Sequence, residues 1–176
     1  MITGALLLAR ARTMTPAELN TTFASGAEAD ANRASVLAVL VQGFGPPDVE
    51  VIRALTRFEA TAVERADDGC GDALLAGCWM LFVLGDVRDS ALVWRAKNLN
   101  FDCHCFIDSV LLLPQGLAAT QEFAAAEGPA DLAEWVASSW VTAPDEEIAG
   151  WRKSTYFRGA PSASSSVADL AGWLRS

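Results

Sequence analysis

The sequence predicts an all-α protein, and three observations carry that prediction. Apolar residues recur every three or four positions over most of the chain, the period of one helix face. Ser, Thr, Asp or Pro stands at the head of several of those segments, and Gly follows several of them. Segments that alternate apolar and polar residues, as a half-buried strand does, do not recur. The expected architecture is a single α-helical domain over residues 1–176, either a helical bundle or a short α-solenoid-like stack of helical hairpins. A chain of 176 residues suits one sizeable core, and a hydrophobic content of 52% argues against extended disorder.

The elements follow in order. MITGALLLARAR holds a short apolar block with Arg10 and Arg12 behind it, the reverse of the charge order of a secretory leader. TPAELNTTFA offers Thr15 as N-cap, Pro16 at the first helical position and Glu18 in the first turn. NRASVLAVLVQGFG places Leu37, Leu40, Val41 and Phe44 on one face, with Gly43 and Gly45 as stops. The next helix opens on two prolines and carries Val51, Leu55, Phe58 and Ala62 at helical spacing. Residues 73–84 are apolar all round, which suits a central helix buried on most sides. Gly85 ends it and Asp86 caps a following helix, so LFVLGDVRDSALVW reads as a helical hairpin of tetratricopeptide flavour, although no second copy recurs at a fixed period.

Four more helical segments follow from residue 116, the first of them GLAATQEFAAAEG. GPADLAEWVASSW carries Leu132, Trp135 and Val136, and TAPDEEIAGWRKSTYF has Thr142 as cap with Asp145, Glu146 and Glu147 in its first turn, where acids favour the helix dipole. Residues 159–166 are a Ser-rich loop before a last amphipathic helix with Val167, Leu170, Ala171 and Leu174. The count is roughly eight or nine helices.

NFDCHCFID is where the chain looks chemical, because it holds the single histidine and two of the four cysteines. Cys103, His104 and Cys105 are consecutive and diverge by about 100° on a helix, so they do not close on one ion. Cys70 and Cys78 are too far apart in sequence for a zinc pair, and neither a metal nor another cofactor is expected. Asp108, four residues after His104, would orient the imidazole on a helix surface, which makes an enzyme using His104 with Asp108 or a cysteine the alternative reading. The structural reading has Asp102 as N-cap and Cys103, Phe106, Ile107, Val110 and Leu111 as one buried stripe running to Pro114. A short strand over residues 101–107 is its runner-up.

LVWRAKNLNFDCHCFID resembles a segment of small uncharacterised bacterial all-helical proteins, with a Trp-x-Ala-Lys-Asn helix end followed by Asn-Phe-Asp. The resemblance covers residues 92–108. It implies a bacterial helical protein and no activity, so no functional residue carries over.

Other motifs fall short of a site. DDGCGD lacks the alternating carboxylates and terminal Glu of a calcium loop, and GFGPPD lacks the Lys-Ser/Thr that completes a phosphate-binding loop. The longest apolar run, near residues 78–84, is far short of the roughly 20 residues that span a bilayer. A net charge of −9 disfavours direct binding to nucleic acid or an anionic membrane.

Charge is the least random feature. Residues 100–150 contain no Lys or Arg and nine acids, while all thirteen basic residues lie outside that span. Trp135 and Trp140 would point about 140° apart on a helix, so at least one is expected to be partly exposed. The expectation is a non-enzymatic, cytoplasmic interaction protein with reduced thiols. Its acidic C-terminal half would dock a basic protein through Asp131, Glu134, Asp145, Glu146 and Glu147 with Trp135 or Trp140. An immunity or inhibitor protein facing a basic toxin, or an adaptor, fits that description. A homo-oligomer that buries the remaining tryptophans is the third reading.

Overall fold

The computed structural model describes residues 3–25, 27–66, 69–138, 145–153 and 165–175. Those residues form α1 (Gly4–Ala11), α2 (Pro16–Phe23), α3 (Ala27–Gln42), α4 (Val49–Ala66), α5 (Asp72–Leu84), α6 (Ser90–Lys97), α7 (Phe101–Phe106), α8 (Leu117–Ala126), α9 (Ala130–Val136), α10 (Asp145–Lys153) and α11 (Val167–Trp173). Short 3-10 turns cover Pro46–Asp48, Val87–Asp89 and Ser109–Leu112, and no strand occurs among the described residues. The protein is all-α. None of these helices is long and apolar enough to cross a membrane.

Helix α5 is the axis of the molecule. Every residue from Ala73 to Phe82 is buried, so its uniform apolarity is matched by neighbours on all sides. Gly85 stops it in a left-handed conformation (φ +84°) and donates its N–H to Leu81 O. Helix α4 lies against it at close range, because Gly77 removes the side chain that would otherwise hold them apart. A Cβ on Gly77 would stand 2.3 Å from Thr56 Oγ1, itself bound to Ile52 O at 2.8 Å. Helices α1 and α11 both pack on α3, so the chain closes on itself rather than stacking as an open array. One apolar cluster runs from Leu7 to Leu174.

Polar knots tie the first half together. Arg33, almost fully buried, donates to Phe23 O, Asp30 Oδ1 and Glu59 Oε1, each at 2.7 Å, and so joins α2, α3 and α4. Arg53 reaches Asp89 Oδ1 at 2.7 Å, Glu50 Oε1 at 2.6 Å and Asp86 Oδ2 at 2.7 Å, which fixes the α5–α6 corner to α4. Arg12 pairs with the buried Asp48 at 2.7 Å.

The caps expected at Thr15 and Asp86 form as expected: Thr15 and Glu18 make a reciprocal capping box, and Asp86 accepts from Arg88 N. The first apolar block forms a helix, α1, capped by Thr3 and docked through Leu7, Leu8 and Ala11. Three expectations are corrected. The helix after Asp86 starts with a 3-10 turn. The helix expected through Pro114 breaks at Ile107, for reasons given below. Ser166, read as loop, caps α11 in a capping box with Asp169. Thr142 and residues 159–164 lie outside the described residues.

Candidate functional site: an acidic face on the C-terminal helices

Helix α9 is oriented by Leu132 and Val136, which are buried one turn apart, and by Gln121 Nε2, which donates to Val136 O at 2.8 Å. Gly128 permits the tight α8–α9 corner, since a Cβ there would lie 2.6 Å from Ala124 Cα. With that face inward, Asp131 and Glu134 point to solvent. Helix α10 buries Ile148, and its Arg152 donates to Val83 O and Pro114 O and lies over the Phe82 ring, 5.0 Å from the centroid. The Trp79 indole N–H donates to Trp151 O at 3.1 Å. These contacts pin α10 and leave Asp145, Glu146 and Glu147 exposed in its first turn.

The five acids named from the sequence are therefore all at the surface. Of the nine carboxylates in residues 100–150, eight are exposed and Asp108 is half-buried. None makes an ion pair among the described residues, where every ion pair joins positions between 12 and 95. Two flanking cations with described side chains are engaged elsewhere. Arg152 is committed to backbone carbonyls, and Lys97 is buried with its ammonium on His104 O (2.5 Å) and Ile107 O (2.7 Å). Outside residues 100–150 thirteen acids balance thirteen bases, so the net charge of −9 belongs entirely to that span.

The aromatic residues sort differently from the acids. Trp135 is half-buried and packs on Trp94, with ring centroids 5.5 Å apart and planes tilted by 40°. Trp140 lies outside the described residues. Among the described residues the aromatic ring most open to solvent is Phe101 at 79% exposure, with Phe106 at 37%, both on α7. The sequence reading missed Phe101 and placed Phe106 in the buried stripe. Periodicity cannot show this reversal, because α7 is only six residues long and its register is broken at Ile107.

That break answers the question posed by NFDCHCFID. The N-cap is Asn100, whose side chain accepts from Cys103 N at 2.8 Å, and not Asp102. Lys97 takes the carbonyls of His104 and Ile107 and so satisfies the end of α7. Burial pushes the Lys97 ammonium below its usual range, and nearby Asp108 opposes the shift. Ile107 turns to extended backbone, and Asp108 caps the next 3-10 turn by accepting from Val110 N at 2.9 Å. The new register carries Ile107, Val110 and Leu111 into the core.

His104 and Asp108 consequently sit on separate elements. His104 Nδ1 lies 3.4 Å from Asn98 Oδ1, and the Asp108 carboxylate is occupied by its cap. Cys103 is buried as a small apolar residue, and Cys105 is exposed. Cys70 and Cys103, distant in sequence, come close enough for their thiols to influence each other. Burial raises both, and it pushes the fully buried Cys78 thiol up to about 12. Thiols held protonated in this way are poor nucleophiles. Among the described residues no group of three or more His, Cys, Asp or Glu side chains is placed to hold a metal ion.

No family model, curated protein or solved structure matches the chain.

Proposed function

We propose that this chain is a non-enzymatic, cytoplasmic interaction module whose acidic C-terminal half docks a basic protein partner, in the manner of an immunity or inhibitor protein or of an adaptor. One observation carries the reading: nine carboxylates share a stretch of chain in which no described cation answers them, while the cations on either side, Lys97 and Arg152, are spent on backbone carbonyls. Like charges exposed along one stretch of chain repel, and a basic partner relieves that repulsion while its approach is accelerated by the field. Exposed charges alone give on-rate and register more than affinity. Affinity comes from aromatic rings that become desolvated, and Phe101 offers more free ring surface for that purpose than the half-buried Trp135.

The test starts with capture of partners from lysate of the source organism at low and high salt, with the retained protein identified by mass spectrometry and then purified. The expected partner is basic, binds at low salt and is released at high salt. Reversal of Asp145, Glu146 and Glu147 to Lys moves the net charge from −9 to −3. It should weaken binding and flatten its salt dependence. Retention of no basic protein, or unchanged affinity and salt slope in the reversed variant, overturns the proposal.

A further inference from the structure

A groove on the opposite, N-terminal part of the chain carries chemistry that the acidic face does not. It lies between α2 and α4 and has a volume of about 540 Å³, within the range of ligand pockets. Its floor is Met14, Leu19, Ala54 and Phe58, all half-buried. Three charged groups line its rim, and two of them are already answered. Arg12 is held by Asp48 at 2.7 Å, and Glu50 is held by Arg53 at 2.6 Å. The third, Arg57, is exposed and has no carboxylate partner among the described residues. An apolar floor thus meets one uncompensated positive charge, in a protein whose net charge is −9.

We infer that this groove binds an amphipathic monoanion, a small carboxylate with a hydrocarbon or aromatic body. The tail covers Met14, Leu19 and Phe58, and the carboxylate accepts from the Arg57 guanidinium, which suits a planar anion bidentately. A ligand with two or more negative charges finds no second free cation, because the Arg12 charge is neutralised by Asp48. A cationic amphiphile meets Arg57 as a like charge. The groove is independent of the acidic face, so either proposal stands without the other.

Isothermal calorimetry of the full chain with decanoate tests it, with decyltrimethylammonium as the control of equal tail length. Decanoate should bind and decyltrimethylammonium should not. Arg57→Gln should weaken decanoate roughly tenfold. Because Arg57 is exposed and unpaired, that variant isolates the charge without threatening the fold. Ala54→Trp, which fills the groove, should abolish binding. Absence of decanoate binding up to about 1 mM overturns the inference. So does equal binding by the Arg57→Gln variant or by the cationic control, which would mean an apolar surface without selectivity. Self-association of the wild-type chain in light scattering, lost in Ala54→Trp, would instead assign the groove to a second copy.

Discussion

Replacing Arg33 by Met tests whether the knot joining α2, α3 and α4 is a load on the fold or a support. The Arg33 side chain is 3% exposed and binds Glu59, which is 14% exposed, and Asp30, which is 59% exposed. The Asp30 contact is solvated and adds little. The Glu59 contact decides the outcome, because its loss leaves a carboxylate buried without a counter-charge, a defect of about 3–5 kcal/mol. The carbonyl of Phe23 is orphaned as well. Against a total stability of about 5–15 kcal/mol for a domain, this is a severe change. Its pH dependence identifies the cause. Burial raises the Glu59 carboxyl above its ordinary value, and Arg33 opposes that rise. Without Arg33 the folded value climbs further. A carboxyl raised in the folded state binds its proton more tightly there than in the unfolded chain, so stability falls as pH rises from the unfolded value through the folded one. The deficit of the variant should therefore be smaller at about pH 5.5 than at about pH 8. Urea unfolding followed by tryptophan fluorescence measures both. Adding Glu59→Gln should recover a large part of the deficit at the higher pH. A deficit below about 1 kcal/mol, or one that is equal at both pH values and unmoved by Glu59→Gln, refutes the account.

Two further predictions concern the elements that frame the surface. Gly77→Ala gains about 1 kcal/mol of helix propensity but drives a methyl group into Thr56 Oγ1, so the variant should lose about 1–2 kcal/mol net. In a Thr56→Ala background the same change should cost less, and an unchanged cost would show that the α4–α5 approach is not the constraint. Lys97→Met leaves the carbonyls of His104 and Ile107 without their donor, a loss of about 1–3 kcal/mol that should concentrate in α7. Hydrogen exchange should accelerate at the Ile107 amide, which donates to Cys103 O, while the α5 amides keep their protection. Equal acceleration in both helices would mean that Lys97 supports the whole fold and not α7.

How much of this was legible in the sequence depends on whether the deciding partner is local. Helix α5 was legible because ten consecutive buried residues leave no polar face to mislead, and its end was legible because Gly85 takes a left-handed turn. The α2 start was legible because both members of the capping box lie within four residues. Helix α7 was misread because its end is set by Lys97, a residue of the preceding helix that looks like a solvated cation until the fold buries it. Asn100, Asp102 and Asp108 all have the chemistry of a cap, and only the backbone register chooses Asn100 and Asp108. The same register turns Phe106 outward and Ile107 inward. The meeting of Cys70 with Cys103 is a tertiary event with no local signal. The acidic face stands between these cases. Its exposure follows from composition, since carboxylates without cations nearby in sequence must stay in water or find a cation elsewhere in the fold. Among the described residues no ion pair reaches them: Arg33 and Arg53 are held by their own acids, and Lys97 and Arg152 by carbonyls. The described cations nearest to that span in sequence, Lys97 and Arg152, are thus engaged on backbone carbonyls, and under the proposed function the exposed carboxylates are left for a basic partner to neutralise.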